Sequence, residues 1–168
     1  MTQPDPIDIL AKEHEAECAY LEQLRAATCE INNSGFSQRG FLELSKAIRR
    51  IDVSIRTHNE REEQYLFPVL EHHASPLPQT LLKERKELLK LLNVVSQCVE
   101  DITEGRVYAT IVQEMVNLSD RLYQALRSQL MQENEKLFPA VRKLLTSNEY
   151  KRLRKNMMPF HASMRKEF

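Results

Sequence analysis

Two histidines and two glutamates carry the clearest chemical promise in this chain: His14, His58, Glu62 and Glu133. His58 and Glu62 stand four residues apart, a spacing that stacks them on one face of a helix. That face is apolar, because Ile51, Ile55, Tyr65 and Leu66 share its phase, and His14 is in phase with Leu10, Cys18 and Leu21. Donor side chains on core-facing stripes are costly to bury unless something satisfies them. A divalent metal does so, and neutral imidazole with carboxylate suits iron, manganese or zinc. A single histidine on such a stripe is more often a hydrogen-bonded core residue. The His-x-x-x-Glu pair, a third donor in phase on another helix and Glu133 on a fourth point together to a metal site, present or ancestral.

The position of Glu133 follows from an internal repeat. The stretch from His58 through Glu62 to Phe67-Pro68 is echoed 71 residues later by Gln129, Glu133 and Phe138-Pro139. The same offset superimposes Leu10-Ala-Lys12-Glu13-His14 on Leu81-Leu-Lys83-Glu84-Arg85. Two segments sharing one offset indicate a duplicated helix pair. The copies disagree where chemistry matters: Arg85 stands opposite His14, and Gln129 opposite His58.

Four long helices must position these residues. Apolar residues at steps of three and four predict the first over about 6–31, stopped by Asn32-Asn33-Ser34-Gly35, and the second over about 37–72. Ser75-Pro76-Leu77-Pro78 breaks the chain before a third over about 78–102. The fourth spans about 107–145, after Thr103-Glu104-Gly105. Pro68 and Pro139 predict a kink or boundary in the second and fourth helices. A short basic helix near 150–157 and a loosely held tail over 159–168 complete the chain. Long helices on short loops make antiparallel neighbours, so the expected fold is all-α, an up-down-up-down four-helix bundle with a short C-terminal helix. A single domain over 1–168 is expected, with the bundle at about 6–145.

Composition narrows the function. Lys plus Arg balances Asp plus Glu at 24 each, which removes the electrostatic case for nucleic acid or an anionic membrane. The basic run 151–155 changes this little. No apolar run approaches the roughly 20 residues of a membrane span. The beginning, Met-Thr-Gln-Pro-Asp-Pro, has no signal character, and three cysteines form no pairing motif. A cytoplasmic protein is the expectation. Cys18 could approach the metal-ligating residues from one turn away, although buried cysteine usually acts as a small hydrophobe. His72 and His73 read as a solvated helix end. Most of Glu13, Glu63, Glu84 and Glu135 should face solvent, because neighbouring helix residues point about 100° apart.

Asp8-x-x-x-x-Glu-His14, then His58-x-x-x-Glu62-Glu63-x-x-Leu66-Phe67-Pro68, then Glu133-x-x-x-Leu137-Phe138-Pro139, resembles the hemerythrin-like, or HHE cation-binding, family over about 7–145. The resemblance implies a four-helix bundle with two non-haem irons, each taking terminal histidines from one helix pair and sharing bridging carboxylates. It carries over His14, His58, Glu62 and Glu133, while Arg85 and Gln129 replace the second iron's histidines. Arginine offers only donors and cannot ligate a metal. The expectation is therefore that Arg85 fills the second ion's place and pairs with Glu133 and Glu62, with Gln129 completing the hydrogen bonds.

Two readings stay open at this point. One is a metal-binding or sensing protein with at most one iron, manganese or zinc ion, for which a small diatomic ligand is the input if iron is bound. The other is a metal-free bundle serving as an interaction or regulatory module. Reversible oxygen carriage is not expected, because holding oxygen as bound peroxide takes two electrons and the family draws one from each iron. An enzymatic reading, by likeness to iron–sulfur cluster repair proteins with this bundle, ranks last. Those keep the full diiron set and a cysteine-bearing N-terminal segment.

Overall fold

A computed structural model describes residues 5–164, with side chains through 157. Every regular element among the described residues is helical. The first helix, α1, spans Pro6–Ser34; its Asp5 cap accepts the Ile7 N–H at 2.8 Å, and Pro6 sits where a missing N–H costs nothing. Gly35, at φ 84°, ends α1 in the left-handed backbone that a Cβ disfavours, and its N–H returns to the Ile31 carbonyl. α2 spans Gln38–Arg61, α3 Phe67–His72, α4 Leu77–Thr103 and α5 Ala109–Gln132. α6 spans Phe138–Leu144, and α7 spans Ser147–Met164.

Pro68 and Pro139 produce neither a simple kink nor a break. Each lies just past a π-helical turn, Glu62–Leu66 between α2 and α3 and Glu133–Leu137 between α5 and α6. A proline in a continuous α-helix would push its ring against the carbonyl four residues back, here that of Gln64 or Glu135. The widened turn relieves this: the Phe67 N–H reaches the Glu62 carbonyl and the Phe138 N–H the Glu133 carbonyl, each five residues back. Both turns begin on a glutamate of the candidate site.

α1 packs on α2 and α5, and α4 packs on α5 and α2, which closes the four long helices into an up-down-up-down ring. None of the described helices is long and apolar enough to cross a membrane.

The apolar interior comes in two pieces. The larger lies along the lengths of the four long helices, with Leu24, Leu44, Ile48, Ile55, Leu92, Met115 and Leu126 among its buried members. The smaller, with Ile7, Leu10, Leu66, Phe67, Leu81 and Phe138, is closed over by Leu153 and Met157 of α7. Along each long helix one buried polar residue falls near where these pieces meet: His14 after Leu10, His58 after Ile55, Arg85 after Leu81 and Gln129 after Leu126. A polar layer thus crosses the bundle between two apolar plugs that exclude water from it.

α7 begins three residues earlier than expected and continues to Met164, so much of the expected loose tail is helical backbone; residues 165–168 lie outside the described residues. His73 is not simply solvated. Its Nε2 meets both Glu149 oxygens at 3.0 and 3.1 Å, while Glu149 accepts the Thr146 N–H and hydroxyl at the start of α7. Tyr150 donates to Asp5 at 2.7 Å and ties α7 to the first turn of α1.

Candidate metal centre

The polar layer takes His14 from α1, His58 from α2, Glu62 and Glu133 from the opening residues of the two π-turns, Arg85 from α4 and Gln129 from α5. All six are at least 95 % buried. One potential ligand atom from each of His14, His58, Glu62 and Glu133 lies within 4.8 Å of the others. The two His Nε2 atoms approach to 3.0 Å. Glu62 Oε1 is 3.1 Å from His58 Nε2, and Glu133 Oε2 is 3.0 Å from His14 Nε2 and 3.7 Å from His58 Nε2.

The outer ring nitrogens decide what the inner ones can do. His58 Nδ1 sits 3.0 Å from Glu13 Oε2, and a carboxylate only accepts, so this nitrogen carries the proton. Glu13 is in turn gripped at 2.6 Å by the buried Arg61. Burial works to raise the Glu13 carboxyl, but the His58 hydrogen bond and the Arg61 charge outweigh it and hold it below its ordinary value. His14 Nδ1 meets Asn134 Oδ1 at 2.9 Å, an acceptor again. In the neutral imidazoles both Nε2 atoms therefore present lone pairs inward, toward each other and toward two carboxylate oxygens. Glu133 Oε2 has no neighbour to pair with other than these two imidazoles. Four lone-pair donors without a proton among them call for a cation, and imidazole and carboxylate fit a divalent metal ion. Phe138 stacks on His14 at 5.0 Å between ring centroids and fixes that imidazole's plane.

A proton is the competing occupant. Burial alone would lower the His58 imidazole, yet the Glu62 charge and the hydrogen bonds with Glu13, Glu133 and Glu62 hold it well above its ordinary value. Glu133 moves the opposite way. Burial would raise it, but the hydrogen bonds of His14 and His58 and the charges of Arg85 and His58 hold it well below the usual carboxylate range.

The other side of the two carboxylates belongs to Arg85. Its Nη2 donates to Glu62 Oε2 and, at 2.7 Å, to Glu133 Oε1. Nη1 donates to Glu63 Oε1 at 3.2 Å and to the Asn59 carbonyl at 3.4 Å. The guanidinium lies over the Phe67 ring, 4.8 Å from its centroid. Gln129 donates to Glu133 Oε1 at 2.9 Å and to Asn59 Oδ1 at 3.3 Å. Each glutamate thus offers one oxygen to the histidine pair and the other to the guanidinium.

The structure gathers the six residues that the sequence singles out, and corrects the picture around them. Cys18 is exposed, because the inward face of α1 runs from His14 through Glu17 and Leu21 rather than through Cys18. Glu17 is 98 % buried; its Oε1 accepts from Ser54 at 2.8 Å, and burial pushes its carboxyl up. Glu13 does not face solvent but fills the seam between α1 and α2, and Glu63 turns back onto Arg85. Asn59, Arg61 and Asn134 have no counterpart in the sequence reading. The three- and four-residue steps from His14 to Glu17 and Leu21 were the available signal for Glu17, and the step from His58 was the signal for Arg61. Asn134 depends on the π-turn, which no local periodicity announces.

The helical bundle and its buried histidine–carboxylate layer define a cation-binding class of fold. The family model for the hemerythrin HHE cation binding domain matches residues 5–141, and the chain belongs to that family. No curated protein matches the chain.

Proposed function

We propose that this protein binds a single divalent metal ion through His14, His58, Glu62 and Glu133, with iron the first candidate and manganese or zinc next. The observation that carries this reading is the convergence of four lone-pair donors within 4.8 Å, with both outer imidazole nitrogens committed to acceptors. Arg85 and Gln129 stand in for the second ion: the guanidinium supplies the positive charge that the far oxygens of Glu62 and Glu133 require. A bound ion would supply a Lewis-acidic, and with iron a one-electron, centre. The residues around it orient the two imidazoles, keep the layer dry between two apolar plugs and confine the chemistry to one ion. Holding oxygen as bound peroxide takes two electrons, one from each of two irons in this family, so a single-ion site fits sensing or binding better, with a diatomic ligand such as oxygen or nitric oxide as the input.

A second reading has its own support. Arg85 already satisfies one oxygen of each glutamate, and a proton held on the His58 imidazole would satisfy much of the rest, giving a metal-free interaction module. Elemental analysis of protein purified without oxygen separates the two. About one metal per chain supports the proposal, a clean zero leaves the metal-free module, and two irons would overturn the role given to Arg85.

A further inference from the structure

Arg85 does more than fill space, because it shares its two partners with the proposed ion. Glu62 turns Oε1 to His58 and Oε2 to Arg85, and Glu133 turns Oε2 to the histidines and Oε1 to Arg85. Both carboxylates are bridges with a fixed cation at one end. That cation cannot leave or deprotonate: burial would loosen the proton, but the charges of Glu62 and Glu133 bind it more firmly still. The buried and half-buried ionisable groups nearest the site are two guanidinium groups, Arg61 and Arg85, and four carboxyl groups, Glu13, Glu17, Glu62 and Glu133. With every carboxylate counted, two minus four leaves two negative charges, so a divalent ion neutralises the layer and a trivalent ion leaves it one charge positive. Glu63 is 40 % exposed and adds only a screened charge.

From this geometry we infer that Arg85 is a charge-state selector, which makes the site take divalent ions and reject trivalent ones. This rests on the single-ion proposal above. A hard trivalent ion would otherwise be favoured by two carboxylates. An additional unit of charge facing a guanidinium across a shared carboxylate, about 6 Å away in an effective dielectric of about 20, is disfavoured by on the order of 100-fold. Iron at this site would accordingly be biased toward the ferrous state.

The test uses redox-inert probes, so that no electron transfer confuses the reading. Wild-type protein is equilibrated with Zn2+ and with citrate-buffered Ga3+, separately and in competition, and bound metal is counted after desalting. The wild type is expected to hold one Zn2+ and to exclude Ga3+. Arg85→Met, of similar length and without charge, should shift the Ga3+/Zn2+ ratio by about 100-fold toward Ga3+, and Arg85→Lys should restore the wild-type preference. Circular dichroism establishes that each variant is folded. Wild-type protein that takes up Ga3+ as readily as Zn2+ overturns the inference with no variant needed. A folded Arg85→Met with an unmoved ratio overturns it too, while leaving the single-ion proposal standing. Failure of the wild type to bind Zn2+, Mn2+ or Fe2+ overturns both.

Discussion

The histidine side and the arginine side of the polar layer are built on the same backbone and hold opposite chemistry. The two π-turns, Glu62–Leu66 and Glu133–Leu137, are offset by the same 71 residues as the sequence repeat. Each is followed by a buried phenylalanine and an exposed proline. The side chains that the turns serve have diverged: His14 and His58 on one side face Arg85 and Gln129 on the other. Backbone form here follows Glu-x-x-x-Leu-Phe-Pro, in which the proline forces the wider turn, and not the identity of the ligands. The same backbone therefore carries imidazoles in one half and a guanidinium with an amide in the other, with the helices alike. On the arginine side the guanidinium supplies a positive charge between two buried carboxylates.

The largest expected effect tests that charge. Arg85→Ala leaves Glu62 and Glu133 facing each other uncompensated, and should lower the stability of the metal-free protein by about 3–5 kcal/mol in denaturant titrations. A variant as stable as the parent contradicts the idea that arginine substitutes for an ion.

On the histidine side, Glu13 fixes the His58 tautomer through a shell of charge anchored by Arg61. Glu13→Gln removes the charge and keeps the shape, so Zn2+ or Mn2+ affinity by calorimetric titration should fall by about 10–100-fold with the fold intact. Unchanged affinity would mean that the outer hydrogen bond does not orient the ligand. Asn134→Ala acts on His14 in the same way but through a neutral, exposed partner, and a smaller loss, at the low end of that range, is expected in the same titration.

The smallest effect lies outside the layer and serves as its control. Hydrogen bonds from the Thr146 N–H and hydroxyl, then His73, pull the Glu149 carboxyl down to about 2 from an ordinary 4.5. A carboxyl depressed in the folded state stabilises above its unfolded value and loses that contribution as pH falls through the folded value. Parent and Glu149→Gln should therefore differ in melting temperature near neutral pH and converge as pH drops from about 4.5 toward 2. A gap that is the same at both ends of that window rules out the carboxylate as its source. Metal content should not change.

Much of this architecture was legible in the sequence because its signals are periodic. The stripes from Leu10 to Leu24 and from Phe41 to Ile55 announce helices and their inner faces, and the repeat announces which helices face each other. The six central residues were legible for the same reason. What escaped is governed by contacts between helices. Glu13 sits beside the apolar stripe of α1, and only the closeness of α2 brings His58 and Arg61 to it. Asn134 reads as a surface residue until the π-turn presents it to His14. Cys18 reads as an inner residue when a four-residue step is taken from His14, yet the three-residue step to Glu17 is the one the helix uses.

The central claim, one ion on the histidine side and a guanidinium in place of another, is tested most directly by an anaerobic Fe2+ titration of the wild type beside Arg85→His/Gln129→His. Bound iron is counted per chain after desalting. The wild type should saturate at one ion and the double variant, with imidazoles restored on both sides, at two. A wild type that takes two ions or none, or a folded double variant that gains nothing, contradicts it.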